Sequence, residues 1–147
     1  MADIVANVSK GRLAYYGSLP ATNDALIAVP LEATGLEADT ALRDYTNLST
    51  MLAASNNEQT TMGRKTLTGV TVTIDQANDR VDIDAADAVW SAATGNATGK
   101  LVICYDPDTT GGTDADLIPL VYLDFVATPA GGDITAQFAA GGFARAS

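Results

Sequence analysis

From Thr66 onward, apolar and polar residues alternate along the chain with a period of two. Val70, Val72 and Ile74 fall on one side, and Thr71, Thr73 and Asp75 on the other. Residues 75–79 interrupt the pattern with turn-forming Asp and Asn, after which Val81 and Ile83 alternate with Arg80, Asp82 and Asp84. Two such runs round a polar turn predict a β-hairpin with one buried face. Residues 88–92, around Trp90, predict a further short strand. Residues 101–105 are apolar at successive positions, the mark of a central strand covered on both faces. Residues 106–116 read as a loop, with Pro107 and Gly111-Gly112. Residues 117–126 predict a long strand in which Pro119 marks an edge or a bulge, because proline has no N–H to give to a ladder. Residues 134–138 predict the last strand, between two Gly-Gly pairs. Near the other end, residues 25–31 predict a strand that Pro30 places at an edge.

One segment has a helical period. Leu42, Tyr45, Leu48 and Leu52 recur at steps of three and four, which predicts a single helix over about residues 40–54 with one apolar stripe. Asp39 or Thr40 can cap its start, and Asn56 and Asn57 can end it in the left-handed conformation. Residues 1–23 keep no period and predict an irregular N-terminal arm, leaving residues 24–147 as a single β-rich domain. The fold class expected is mainly β: an antiparallel sandwich or partly open barrel with the one helix packed on it.

The totals narrow the function. The chain has 147 residues, enough to bury one core without metal or disulfide. Its single cysteine, Cys104, lies in the apolar central strand, where a thiol acts as a small hydrophobe. There is no histidine, so the commonest general base for nucleophilic catalysis is missing. The net charge is −10, and most of it falls after residue 74: eleven aspartates there face three basic residues, Arg80, Lys100 and Arg145. Phosphate backbones repel such a surface, so no nucleic-acid partner is expected. The first residues carry no basic-then-apolar leader, and no apolar run reaches the roughly 20 residues a membrane helix needs, so a soluble protein made in the cytoplasm with no membrane partner is expected.

Candidate chemistry is sparse. Asp106, Asp108, Asp114 and Asp116 share one Gly-rich loop and are the best calcium candidates, being hard oxygen ligands on flexible backbone. Their spacing is not that of an EF-hand, and Asp and Gly are also ordinary turn residues. Asp82, Asp84 and Asp87 form a second acidic group, with the first two on the solvent side of the hairpin. Gly95–Lys100 approaches a phosphate loop but is one residue short, and Leu101 stands where a magnesium-binding hydroxyl belongs. No cofactor and no catalytic residue is expected.

The run Arg64-Lys65-Thr66-Leu67-Thr68-Gly69-Val70-Thr71-Val72-Thr73, then Asn78–Asp82, Ala88-Val89-Trp90, Gly99–Asp106 and Ile118-Pro119-Leu120, resembles small structural proteins from the head and tail gene blocks of tailed bacteriophages. The resemblance covers about residues 40–145 and rests on strand and turn patterns. It implies a non-enzymatic virion component, foremost a capsid decoration or cement protein on the outer surface of the head. Its partners would then be the major capsid protein and further copies of itself, as a homotrimer. A neck, tail or fibre-associated subunit and a β-sandwich carbohydrate-binding module are the alternatives. Tyr15, Tyr16 and Phe143, which lie in the irregular ends, are the expected interface anchors, because aromatic side chains in otherwise unclaimed segments suit partner contacts.

Overall fold

The computed structural model describes residues 3–146. The chain is mainly β. Its centre is a five-stranded antiparallel sheet in the order β1 (Ile4–Val5), β8 (Ile118–Ala127), β7 (Thr98–Asp106), β2 (Ala25–Glu32), β3 (Lys65–Thr66). β7 is buried at all nine positions, the five of the predicted apolar run, 101–105, among them. Alternation splits its side chains between two cores. Leu101, Ile103 and Tyr105 enter one, and Val102 and Cys104 the other. β1 and β3 end the sheet on its two sides, so it is open and sandwich-like, with no closed barrel.

The first core lies beneath two smaller sheets. β4 (Thr71–Asp75) and β5 (Arg80–Asp84) form the expected hairpin, and β10 (Ala144–Ala146) adds to β5 as a third strand. β6 (Ala88–Trp90) pairs with β9 (Ile134–Ala136). Ile83, Trp90, Ala136 and Ala144 bring these sheets onto Leu26, Leu101, Ile103 and Leu120 of the central one. Trp90 is the largest of these side chains; its indole N–H donates to the Gly63 carbonyl at 2.8 Å and its ring lies 5.6 Å from that of Phe125.

The second core lies beneath α2 (Asp39–Leu42) and α3 (Leu48–Leu52), whose Leu42, Leu48 and Met51 are fully buried on Val29, Leu31, Val102 and Tyr122. The expected apolar stripe is therefore present, but the single helix over about 40–54 is not. The chain leaves α2 at Arg43, and Asn47 starts a new helix: its backbone is extended and its side chain accepts from the Thr50 N–H at 2.9 Å. A residue that satisfies an orphan N–H from outside the helix cannot also continue one. Residues 56 and 57 are not in the left-handed region either. Asn56 is instead buried, accepting from the Glu37 N–H and donating to the Met51 carbonyl and the Glu37 carboxylate.

Both strand prolines are accommodated without breaking the ladder. Pro119 sits at a bulge, where Ile103 faces Val121 but Cys104 faces Pro119, leaving Leu120 as the extra residue. Pro30 is not at the expected edge, because β2 is internal. Beyond β3 its free flank is taken by residues 57–59, with Leu31 bridged to Glu58 and the Pro30 carbonyl accepting from the Gln59 N–H, so the missing proline N–H faces no ladder partner that needs it. Residues 3–23 pack as part of the domain. Ile4 and Val5 pair with Tyr122 and Val121, and Ser9 donates to the Pro119 carbonyl. α1 (Leu13–Ser18) buries Leu13 and Tyr16 and presses Gly17 onto Val72 and Ile83. Among the described residues no helix is long and apolar enough to cross a membrane.

Candidate interaction surface

The acidic loop holds its carboxylates apart. Asp108 Oδ1 accepts from the Thr110 hydroxyl and from the Thr110 and Gly111 N–H groups, and the Thr110 bonds foremost keep its pKa below the usual carboxylate range. Asp116 is lowered in the same way by the Thr113 N–H and hydroxyl. Asp106 accepts from the Asp108 N–H. Asp114 points elsewhere, to Arg64, at 2.6 Å. Arg64 also pairs with Glu58 at 2.6 Å, so one guanidinium ties the loop to the segment before β3. The four candidate calcium ligands thus act as turn and ion-pair residues. Among the described residues, no three carboxylate or thiol groups gather closely enough to hold a metal ion.

The second acidic group is also engaged. Asp82 is bound by Arg145 Nε at 2.7 Å and Arg80 Nε at 2.9 Å, with its pKa lowered foremost by Arg145. Asp87 accepts from the Phe138 N–H. The phosphate-loop likeness dissolves in three dimensions. The loop wraps the buried amide of Gln59, which donates to the Thr94 and Asn96 carbonyls, and Lys100 is buried within the fold. Burial pushes the Cys104 thiol well above its usual range, leaving it a packed hydrophobe.

The three expected anchors part company. Tyr16 is buried in the chain's own core, its ring 5.4 Å from that of Tyr105. Phe143 is half-buried against Phe138. Tyr15 alone stays outside, 58% exposed, above a small groove it shares with Arg12.

A surface that sequence reasoning assigns to the core remains open. The hairpin's apolar side carries the cross-strand pairs Val72–Ile83 and Ile74–Val81, and β10 extends them with Ala144 and Ala146. α1 covers the inner half, at Val72 and Ile83. The outer half runs past the helix, so Ile74 is 70% exposed, correcting the expected burial of the whole face. Ile74, Val81 and Ala146 line an open groove of about 630 Å³, bounded by Asp75, Gln76, Asp79 and Arg80. Apolar residues at the centre of a polar rim have the layout of a protein-binding patch. The opposite side of the same sheet is polar, with Asp82 paired to both Arg80 and Arg145. The alternation that makes Ile74 look buried is the same as for Val72; only the reach of a six-residue helix distinguishes them. No protein-family profile, curated protein or solved structure matches the chain.

Proposed function

We propose that this chain is a non-enzymatic structural subunit of a tailed-phage particle, a decoration protein that binds the outer surface of the head through the end of its projecting three-stranded sheet. The observation that carries this reading is the exposed Ile74 at the centre of an apolar groove on a hairpin that extends past its supporting helix. The likeness of about residues 40–145 to phage head and tail proteins supplies the partner, a shell subunit. Two further features support it. Cys104 is buried, Asp108 and Asp82 are bound to the chain's own donors, and a net charge of −10 suits a protein that stays off packaged and host nucleic acid. Burying a side chain such as Ile74 contributes roughly 1.5–3 kcal/mol, and multiple copies on a shell would multiply that by avidity.

The test is co-sedimentation of the purified chain with heads that lack it, with the chain counted against the major capsid protein by quantitative mass spectrometry of native particles. A copy number near that of the shell subunit, or a simple large fraction of it, and loss of binding in Ile74→Asp with an unchanged melting temperature are expected. A few to tens of copies would place the chain at the neck, tail or fibres instead. Absence from particles would overturn the reading and return a carbohydrate-binding module to consideration.

A further inference from the structure

Lys100 is the first fully buried charged residue of β7 and exposes none of its side chain. It stands directly across the ladder from Asp124 of β8 and beside Leu31 of β2. Its Nζ lies 2.8 Å from Asp124 Oδ1 and 3.2 Å from Oδ1 of Asp39, the first residue of α2. The two carboxylates are only partly withdrawn from water, at 26% and 35% exposure. Taking an ammonium out of water is costly, so a buried one is held by close partners. Across the ladder, an amine nitrogen and a carboxyl group therefore face each other at hydrogen-bond range. These are the reactants of amide formation, held in fixed register, where orientation raises the effective concentration of one toward the other enormously. A second carboxylate touches the same nitrogen.

We propose that Lys100 and Asp124 join in an intramolecular amide bond, with Asp39 relaying the proton. The Asp39 carboxylate takes a proton from Nζ and passes it to an oxygen of Asp124; the freed Nζ lone pair then attacks Cγ of Asp124 and the C–N bond forms. The Asp39 carboxylate takes a proton from the attacking nitrogen and returns it to a hydroxyl on Cγ. The C–O bond breaks and one water departs. Nothing is oxidised or reduced, Asp39 is regenerated, and no co-reactant is needed. Asp124 is the acceptor because it is the nearer carboxylate and lies opposite Lys100 in the ladder; it also lines a groove of about 320 Å³ through which the water can leave. The product would fasten β7 to β8 covalently at the end remote from their connecting loop.

The experiment is denaturing intact-mass measurement of the purified full chain, followed by tryptic mapping. A chain one water lighter than its sequence is expected. Trypsin cuts after basic residues, and Lys100 is the only one between Arg80 and Arg145. The linked protein should therefore yield residues 81–145 as one fragment, one water light, in place of 81–100 and 101–145. Asp39→Asn, which keeps the side-chain shape, should fold with an unchanged circular dichroism spectrum yet show the full mass and cleavage after Lys100. Full mass and normal cleavage in the folded wild-type chain would overturn the proposal and leave the three residues as a buried ion-pair cluster. Residues 13–43 joined to 81–145 would overturn the assignment of Asp124 by showing Asp39 to be the acceptor.

Discussion

The α-carbon of Gly142 lies so close to the carbonyl oxygen of Ile83 that a Cβ on residue 142 would overlap it. The contact lets the next residue, Phe143, donate its N–H to the same carbonyl at 2.9 Å, which seats β10 beside β5. Gly142 also has φ +83, in the left-handed region. Gly142→Ala should therefore combine backbone strain of about 1–3 kcal/mol with a displaced β10. Gly131→Ala is the control, since Gly131 has a similar φ of +89 and nothing within 4 Å of the added Cβ. The urea midpoint of Gly142→Ala should fall clearly below that of Gly131→Ala. Equal midpoints would mean that conformation alone, not the close approach to Ile83, sets the need for glycine.

Tyr122 offers the opposite kind of change. It is fully buried, and among the described residues its hydroxyl has no hydrogen-bond partner. Burial also holds its pKa well above the usual phenol range. A buried polar group left unpaired costs about 1–3 kcal/mol. Tyr122→Phe keeps the ring in the second core and removes only the hydroxyl, so the variant should be more stable by about 1 kcal/mol. A loss of stability in thermal or urea unfolding would show that the hydroxyl is bonded in solution, most simply to an enclosed water.

What could be read from the sequence, and what could not, divides by the range of the interactions. The central strand β7 and the β4–β5 hairpin are legible because their burial is written in adjacent residues. Pro119 marks its bulge because a missing N–H is a local fact. The break between α2 and α3 is hidden, because the apolar stripe from Leu42 to Leu52 keeps its spacing across the break while the Asn47 side chain restarts the helix. The packing of residues 3–23 is equally hidden: Leu13, Tyr16 and Gly17 are too few to show a period, and their partners lie on strands far along the chain. Lys100 is the extreme case. The two carboxylates at its Nζ are 61 residues before it and 24 after it, far from it in the chain. The candidate surface reverses the problem, since Ile74 and Val72 are equivalent in pattern and differ only in whether α1 reaches them.

Arg64 should govern part of the acid response. It binds Asp114 and Glu58, and its hydrogen bond foremost holds Asp114 below the usual carboxylate range. A folded-state pKa below the unfolded one gives stability that is complete above the unfolded value, near 4, and is lost as pH falls through the folded value. Both partners are about a third exposed, so the contribution is reduced by solvent screening. Arg64→Gln should be less stable than the parent at neutral pH, with a shallower decline as pH falls below about 4. Urea unfolding across that range is the check. Parallel curves would mean that Arg64 does not hold Asp114 in the ionised form.

Tyr45 and Glu37 make the corresponding case at high pH. The Tyr45 hydroxyl donates to Glu37 Oε2 at 2.6 Å, and that bond is the main reason its pKa is pushed up to about 12. Glu37 Oε2 also accepts from Asn56, so the bond joins the start of α2 to the segment that follows α3. An unfolded phenol ionises near 10. Because the folded value is the higher one, the stability contributed by the neutral phenol is complete below about pH 10 and is lost as pH rises through about 12. In Tyr45→Phe this alkaline loss should shrink, and the tyrosine absorbance titration should lose one late-ionising group. Tyr105, also raised to about 12 by burial and then by its bond to Asp24, should go on titrating late in the variant and serves as the internal reference. If Tyr45→Phe instead removed a group titrating near 10, the Glu37 bond would be absent in solution, and Asn56 alone would hold that carboxylate.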